Sequence, residues 1–304
     1  MNVLGLIRKL ALVIFCMAPL HAWAAPKVVT SIRPVQALVY AVTGENSIPD
    51  VVLAPGTSPH AFSLKPSQAQ RLQDADIVFW IGPALETALQ GPLDALGKNA
   101  EVVALLDTPG LDLLHLDDDG HGHGAVDPHV WLSPNNAKIL IDRIRDVLIR
   151  ANPDHSAIYA KNAKVAKNRL KLLTKKMDAF LSHTRDVPYM VQHDGFGYVA
   201  RDFAMNEVGH LQTVAGREPG AKHVSQVRQV IKDLGVVCLF TEPQFTPALA
   251  QRLKEETKIR LGELDPMGGV LELSPTLHVR IIQQLVLSMD QCLYSKKVET
   301  PAVQ

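Results

Sequence analysis

Neither sign of charge is in excess in this chain, which carries 31 basic and 31 acidic residues among 304. Strong affinity for nucleic acid or for an anionic membrane is therefore not expected from the overall balance. Long apolar runs are also missing after the first two dozen residues, so no membrane span is expected there. The chain has no HExxH pair and no nucleophile elbow, which argues against a secreted zinc hydrolase. Cysteine is scarce, with three in all. No short internal repeat is visible, so any likeness between parts of the molecule must be architectural.

What is present begins with an export signal. Arg8 and Lys9 precede an apolar stretch, Leu10 to Leu20, that is too short to span a bilayer, and Ala22-Trp23-Ala24 offers a small-x-small cleavage site. Residues 1–24 read as a signal peptide, cut after Ala24 or Ala25. Phe15 before Cys16 is too bulky for a lipid-attachment box. Removal takes away two basic residues and no acid, leaving 29 against 31, a net charge of about −2. Two cysteines remain, Cys238 and Cys292. An even pair in an oxidising compartment reads as a disulfide; the alternative is two buried thiols, since Cys238 lies in an apolar run.

The pattern predicts an α/β protein, two βα lobes with parallel sheets joined by one long helix. Apolar runs such as Ile77-Val78-Phe79-Trp80-Ile81 suit parallel strands buried on both faces, and they alternate with helical segments. We expect a lobe over 25–153, a linking helix over 154–183 without Gly or Pro, and a second lobe over 184–304. A His- and Asp-rich loop, 115–127, interrupts the first lobe. Helices are expected at 197–205 and 225–234, with loop between them, and His155, His183 and His278 on helix surfaces.

Four residues lie in loops that border predicted strands: His60, His129, His193 and Asp265. In an open parallel sheet such loops converge on one crevice. Three imidazoles and a carboxylate meeting there would suit a divalent transition metal, foremost zinc. A metal-binding imidazole needs an acceptor for its other N–H; Asp127 near His129 and Asp194 beside His193 are candidates. In the hydrolase reading, Glu242 or Asp194 would serve as general base.

Five ordered motifs carry a resemblance. They are Gly56-Thr57-Ser58-Pro59-His60 with Lys65-Pro66-Ser67, Asp127-Pro128-His129-Val130-Trp131-Leu132-Ser133-Pro134, His193-Asp194-Gly195-Phe196-Gly197-Tyr198, Phe240-Thr241-Glu242-Pro243-Gln244-Phe245, and Leu264-Asp265-Pro266-Met267-Gly268. Over nearly the whole mature chain they resemble the solute-binding proteins of bacterial zinc ABC importers, the ZnuA-type or cluster A-I family. The resemblance implies a periplasmic, monomeric receptor, not an enzyme. It would carry Zn²⁺ to an inner-membrane permease with its cytoplasmic ATPase. It also implies a metal site in the interlobe cleft, with His60, His129 and His193 as ligands and Asp265 as the candidate fourth unless a water takes that place, and a Cys238–Cys292 disulfide. Pro59 stands where zinc members often carry an acid that can approach the metal. Manganese-binding relatives usually have Glu at the position of His193, so the runner-up is a manganese or iron receptor. His115, Asp117, Asp118, Asp119, His121 and His123 resemble a shortened form of the family's His-rich loop, which implies an accessory metal role.

Overall fold

The computed structural model describes residues 25–96, 99–115, 125–212, 216 and 219–294. The expected signal peptide lies outside them, as do Asp117, Asp118, Asp119, His121 and His123. Among the described residues no helix is long and apolar enough to cross a membrane.

Apolar runs form the inner strands of two sheets. In the first, β1 (Val28–Thr30) and β3 (Ile77–Trp80) are buried throughout and are flanked by β2 (Asp50–Val51) and β4 (Glu101–Ala104). All pair in parallel in the order β2-β1-β3-β4. The second sheet holds β5 (Tyr189–His193), β6 (Glu207–Gln212), β7 (Cys238–Thr241) and β8 (Arg260–Glu263), again parallel, in the order β6-β5-β7-β8. The two lobes thus share one winding without sharing a visible sequence repeat.

Parallel neighbours need crossovers. In the first lobe these are α1 (Arg33–Thr43), α2 (Pro66–Gln73) and α3 (Thr87–Leu96), with α4 (Pro134–Ala151) following the last strand. Proline at the start of α1, α2 and α4 has the backbone angle a first turn requires and forfeits no helical hydrogen bond. Ser133 caps α4 by accepting from the Asn136 amide at 3.1 Å. The linking helix α5 (Ser156–Phe180) runs 25 residues, or about 37 Å at 1.5 Å per residue. A single 3₁₀ turn at each end completes the expected helical span. Its buried residues, Tyr159, Ala163, Ala166, Leu170 and Leu173, recur at steps of three and four. They pack on α1 and α4 of the first lobe and on α9 (Leu277–Leu293) of the second. The second lobe's crossovers are α6 (Gly197–Asp202), α7 (Ala221–Asp233) and α8 (Ala248–Thr257).

One hydrophobic core runs through both lobes, from Val29 and Phe79 through Leu38 and Leu170 to Val191, Phe240 and Ile282. A smaller core around Leu211, Val227, Leu239 and Leu253 belongs to the second lobe alone. Cys238 of β7 and Cys292 of α9 are disulfide-bonded, with Cα atoms 6.2 Å apart. Closing that 54-residue separation stabilises the fold by about 4 kcal/mol in the chain-entropy model.

The structure departs from expectation in several places; α7, for example, begins at Ala221 rather than at residue 225. β6 forms where a loop is expected. A register shift against β5, with Gly209 at φ 151°, puts an extra residue in this strand and breaks the two-residue alternation that marks strands. α6 ends at Asp202 rather than near residue 205. His278 is not on a helix surface: it is buried, its Nε2–H donates to the Trp131 carbonyl at 2.8 Å, and burial pushes its pKa down to about 4.

Candidate metal centre

The loops that follow β2, β4, β5, β7 and β8 meet between the lobes. His60 comes from the loop after β2, His129 from the segment before α4, and His193 is the last residue of β5. Their ligating nitrogens all lie within 4.8 Å of one another, the one such group among the described residues. His60 Nε2 and His193 Nε2 stand 3.2 and 3.3 Å from His129 Nε2. A tetrahedron with Zn–N bonds of 2.0–2.1 Å has edges of about 3.3 Å.

The tautomers follow from the other ring nitrogens. His129 Nδ1 lies 2.6 Å from Asp127 Oδ1, and His193 Nδ1 lies 2.5 Å from Glu242 Oε1. An ionised carboxylate can only accept, so both Nδ1 atoms donate and the Nε2 atoms present lone pairs. Two lone pairs 3.3 Å apart do not hydrogen-bond; a shared cation makes that spacing favourable. Asp127 also accepts from the His129 amide at 2.9 Å, so this ring is held from two directions.

His193 takes Glu242 as its acceptor, not the adjacent Asp194. Register explains this: β5 and β7 are neighbours with Val191 opposite Phe240, so two residues on His193 faces Glu242. The sequence motif around Glu242 is the only signal that could have suggested it, and strand pairing supplies the contact. Gly195 matters by its size. A Cβ there would sit 2.5 Å from His193 Nε2 and 3.1 Å from a His129 ring carbon, so this turn admits no side chain.

Burial and charge separate the three imidazoles. For His60, burial first, and then the positive charge His129 and His193 would carry, push the pKa down to about 2. For His193, burial alone would lower the pKa, but Glu242, with Asp127 and Asp194, outweighs it and raises the pKa above 6.5. Burial, more than any neighbour, raises Asp194.

Asp265 is not brought into the histidine group. Its Oδ1 accepts from Gln244 Nε2 at 3.1 Å and from the amides of Met267 and Gly268 at 3.0 and 3.1 Å, and its Oδ2 from the Gly269 amide at 2.6 Å. Four donors make it the organiser of the 265–269 turn. His115 is exposed at the stem of the His-rich loop, in an isolated antiparallel bridge with Val126.

The three histidines border a cavity of about 10 Å³, closed by Trp131, Phe245, Pro266 and Met267. That is room for one water-sized body. A larger groove of about 890 Å³ lies along β8 and α9 and is lined by none of the three.

Comparison with known proteins places the chain in a family. Residues 28–292 match the model of the family described as the periplasmic zinc-uptake complex component A, ZnuA. The high-affinity zinc uptake system protein ZnuA of Brucella abortus is 36% identical, over 88% of this chain and 91% of its own. That of Yersinia pestis is 32% identical, over 89% and 92%. A crystal structure of a ZnuA deletion mutant with zinc bound superimposes with a TM-score of 0.77 at 22% identity, covering 90% of this chain and all of that one.

Proposed function

From the premise that this chain belongs to the ZnuA family of periplasmic zinc-uptake components, we propose that it is a receptor that captures Zn²⁺ and delivers it to an ABC importer. In this reading export by residues 1–24 places it in the periplasm as a monomer, and its partners are the inner-membrane permease and cytoplasmic ATPase. The observation that carries the proposal is the convergence of three imidazoles, with His60 Nε2 and His193 Nε2 at 3.2 and 3.3 Å from His129 Nε2 and all three ligating nitrogens within 4.8 Å of one another. Imidazole donors suit zinc better than the harder manganese ion.

In this proposal His60, His129 and His193 are the ligands and a water completes the shell. Asp265 lies outside the histidine group and its two oxygens accept four hydrogen bonds around the 265–269 turn, so we assign it to the turn. His129 and His193 are braced by buried carboxylates. His60 is only half-buried, and its amide makes a 3.4 Å contact to Ser58 Oγ. The braced pair therefore receives the ion and His60 closes over it. A cavity of about 10 Å³ holds an ion but no organic substrate, which counts against the hydrolase reading.

Native mass spectrometry with metal analysis is the direct test. We expect one tightly held zinc per chain at the primary site, retained against a manganese excess. Displacement by equimolar manganese would overturn the zinc assignment in favour of the runner-up. Because one core and α5 tie the lobes together, release should proceed by small rotations or loop motion. Scattering profiles of zinc-free and zinc-loaded protein should nearly superimpose; a wide domain opening would contradict this.

A further inference from the structure

The N-terminal lobe grips the 265–271 turn of the C-terminal lobe without using any ligand nitrogen. Arg33, the first residue of α1, donates from Nε to the Gly268 carbonyl at 3.0 Å and from Nη2 to the Leu271 carbonyl. Trp131, fully buried, donates from its indole N–H to the Pro266 carbonyl at 3.0 Å. Its ring centroid lies 5.3 Å from that of His129, and its own carbonyl accepts from His278 of α9. Three carbonyls of one turn are thus held across the cleft by two side chains. The same turn supplies Pro266 and Met267 to the roof of the metal cavity. Asp265 shapes it from within through the three amides it accepts.

We propose that Arg33 and Trp131 are positioning residues that form an interlobe clasp, and that this clasp, rather than the ligand set alone, determines how long the ion stays bound. The inference rests on the zinc-receptor reading. Each donor acts on the roof over the site, so its loss weakens closure and leaves the three imidazoles in place. A carbonyl that loses its donor in a buried seam favours the opened arrangement, where water can reach it. One such bond corresponds to about a five- to tenfold change in an opening equilibrium.

The test is stopped-flow release of zinc into excess chelator, with the visible spectrum of the Co²⁺-loaded protein as a report on the ligands. Trp131→Phe removes the indole N–H and keeps a ring beside His129; Arg33→Met removes the other arm from a site that is not fully buried. Both variants should release zinc about five- to tenfold faster, with one metal per chain and the wild-type Co²⁺ spectrum. Asp265→Asn should also quicken release without altering the spectrum. Wild-type release rates in both Trp131→Phe and Arg33→Met would overturn the clasp, as would a changed Co²⁺ spectrum in either. A changed spectrum in Asp265→Asn would make Asp265 a ligand, and would overturn the assignment of the turn as a part of the clasp separate from the ligand set. Failure of the wild type to bind zinc at all would instead sink the receptor reading.

Discussion

Replacing His129 or His193 by alanine should lower zinc affinity by about 10²–10³-fold. Structural zinc sites bind with roughly 10–16 kcal/mol shared among four ligands, so one ligand is worth about 3–4 kcal/mol. The truncation also strips a buried carboxylate of its donor. The side chains of Asp127 and Glu242 are 2% exposed and would be left without the imidazole they now accept from. His60→Ala should fall in the same range through the lost nitrogen alone, because among the described residues no buried carboxylate braces its ring. Glu242→Gln keeps His193 in place but weakens its orientation, and it should lower affinity about 10–100-fold. Deleting residues 117–124 should leave the primary site nearly intact. Competition against a chromophoric chelator separates these cases. If the loop deletion proves more damaging than any of the three histidine variants, the primary site is elsewhere.

Zinc affinity should also fall steeply on acidification, and His193 should lead the fall. Zinc needs its Nε2 unprotonated, and the nearby carboxylates raise its pKa above 6.5. Protons therefore compete from above pH 6.5 downward. Below the raised pKa each pH unit lowers apparent affinity about tenfold for that one proton, so pH 7.5 to 5.5 should lower it up to roughly 10²-fold. His60, pushed down to about 2, stays neutral through this window and adds nothing to the slope. Glu242→Gln removes the charge that raises His193, so its curve should start to fall at lower pH. Equal affinity of the wild type at pH 5 and pH 7.5 would refute an imidazole-based site.

The structure also clarifies why a near-neutral chain can carry so specific a site. Asp127, His129, His193 and Glu242 are all at most 4% exposed, so their pairing is decided by local geometry and not by the overall charge balance. Their carboxylates do two things at once: they settle which nitrogen of each ring is free, and they satisfy the other one. Gly195 is part of the same arrangement, since its missing side chain lets two rings approach.

Much of this was legible in the amino-acid order. Buried parallel strands read as apolar runs, as at Ile77–Trp80, and α5 was visible because it holds neither Gly nor Pro. The three histidines stood out because each ends or follows a strand, where loops of a parallel sheet converge. β6 was hidden because its extra residue at the Gly209 bulge destroys the alternation by which a strand is recognised. By itself the sequence determined the donor types, the elements that present them and the family to which they belong. Tertiary structure alone decided the partners: Glu242 rather than Asp194 for His193, main-chain amides for Asp265, and a buried carbonyl for His278. The reason is physical. A hydrogen-bond partner depends on which strands lie side by side and in what register, and residues 49 or 147 positions apart are joined by pairing that no local pattern encodes.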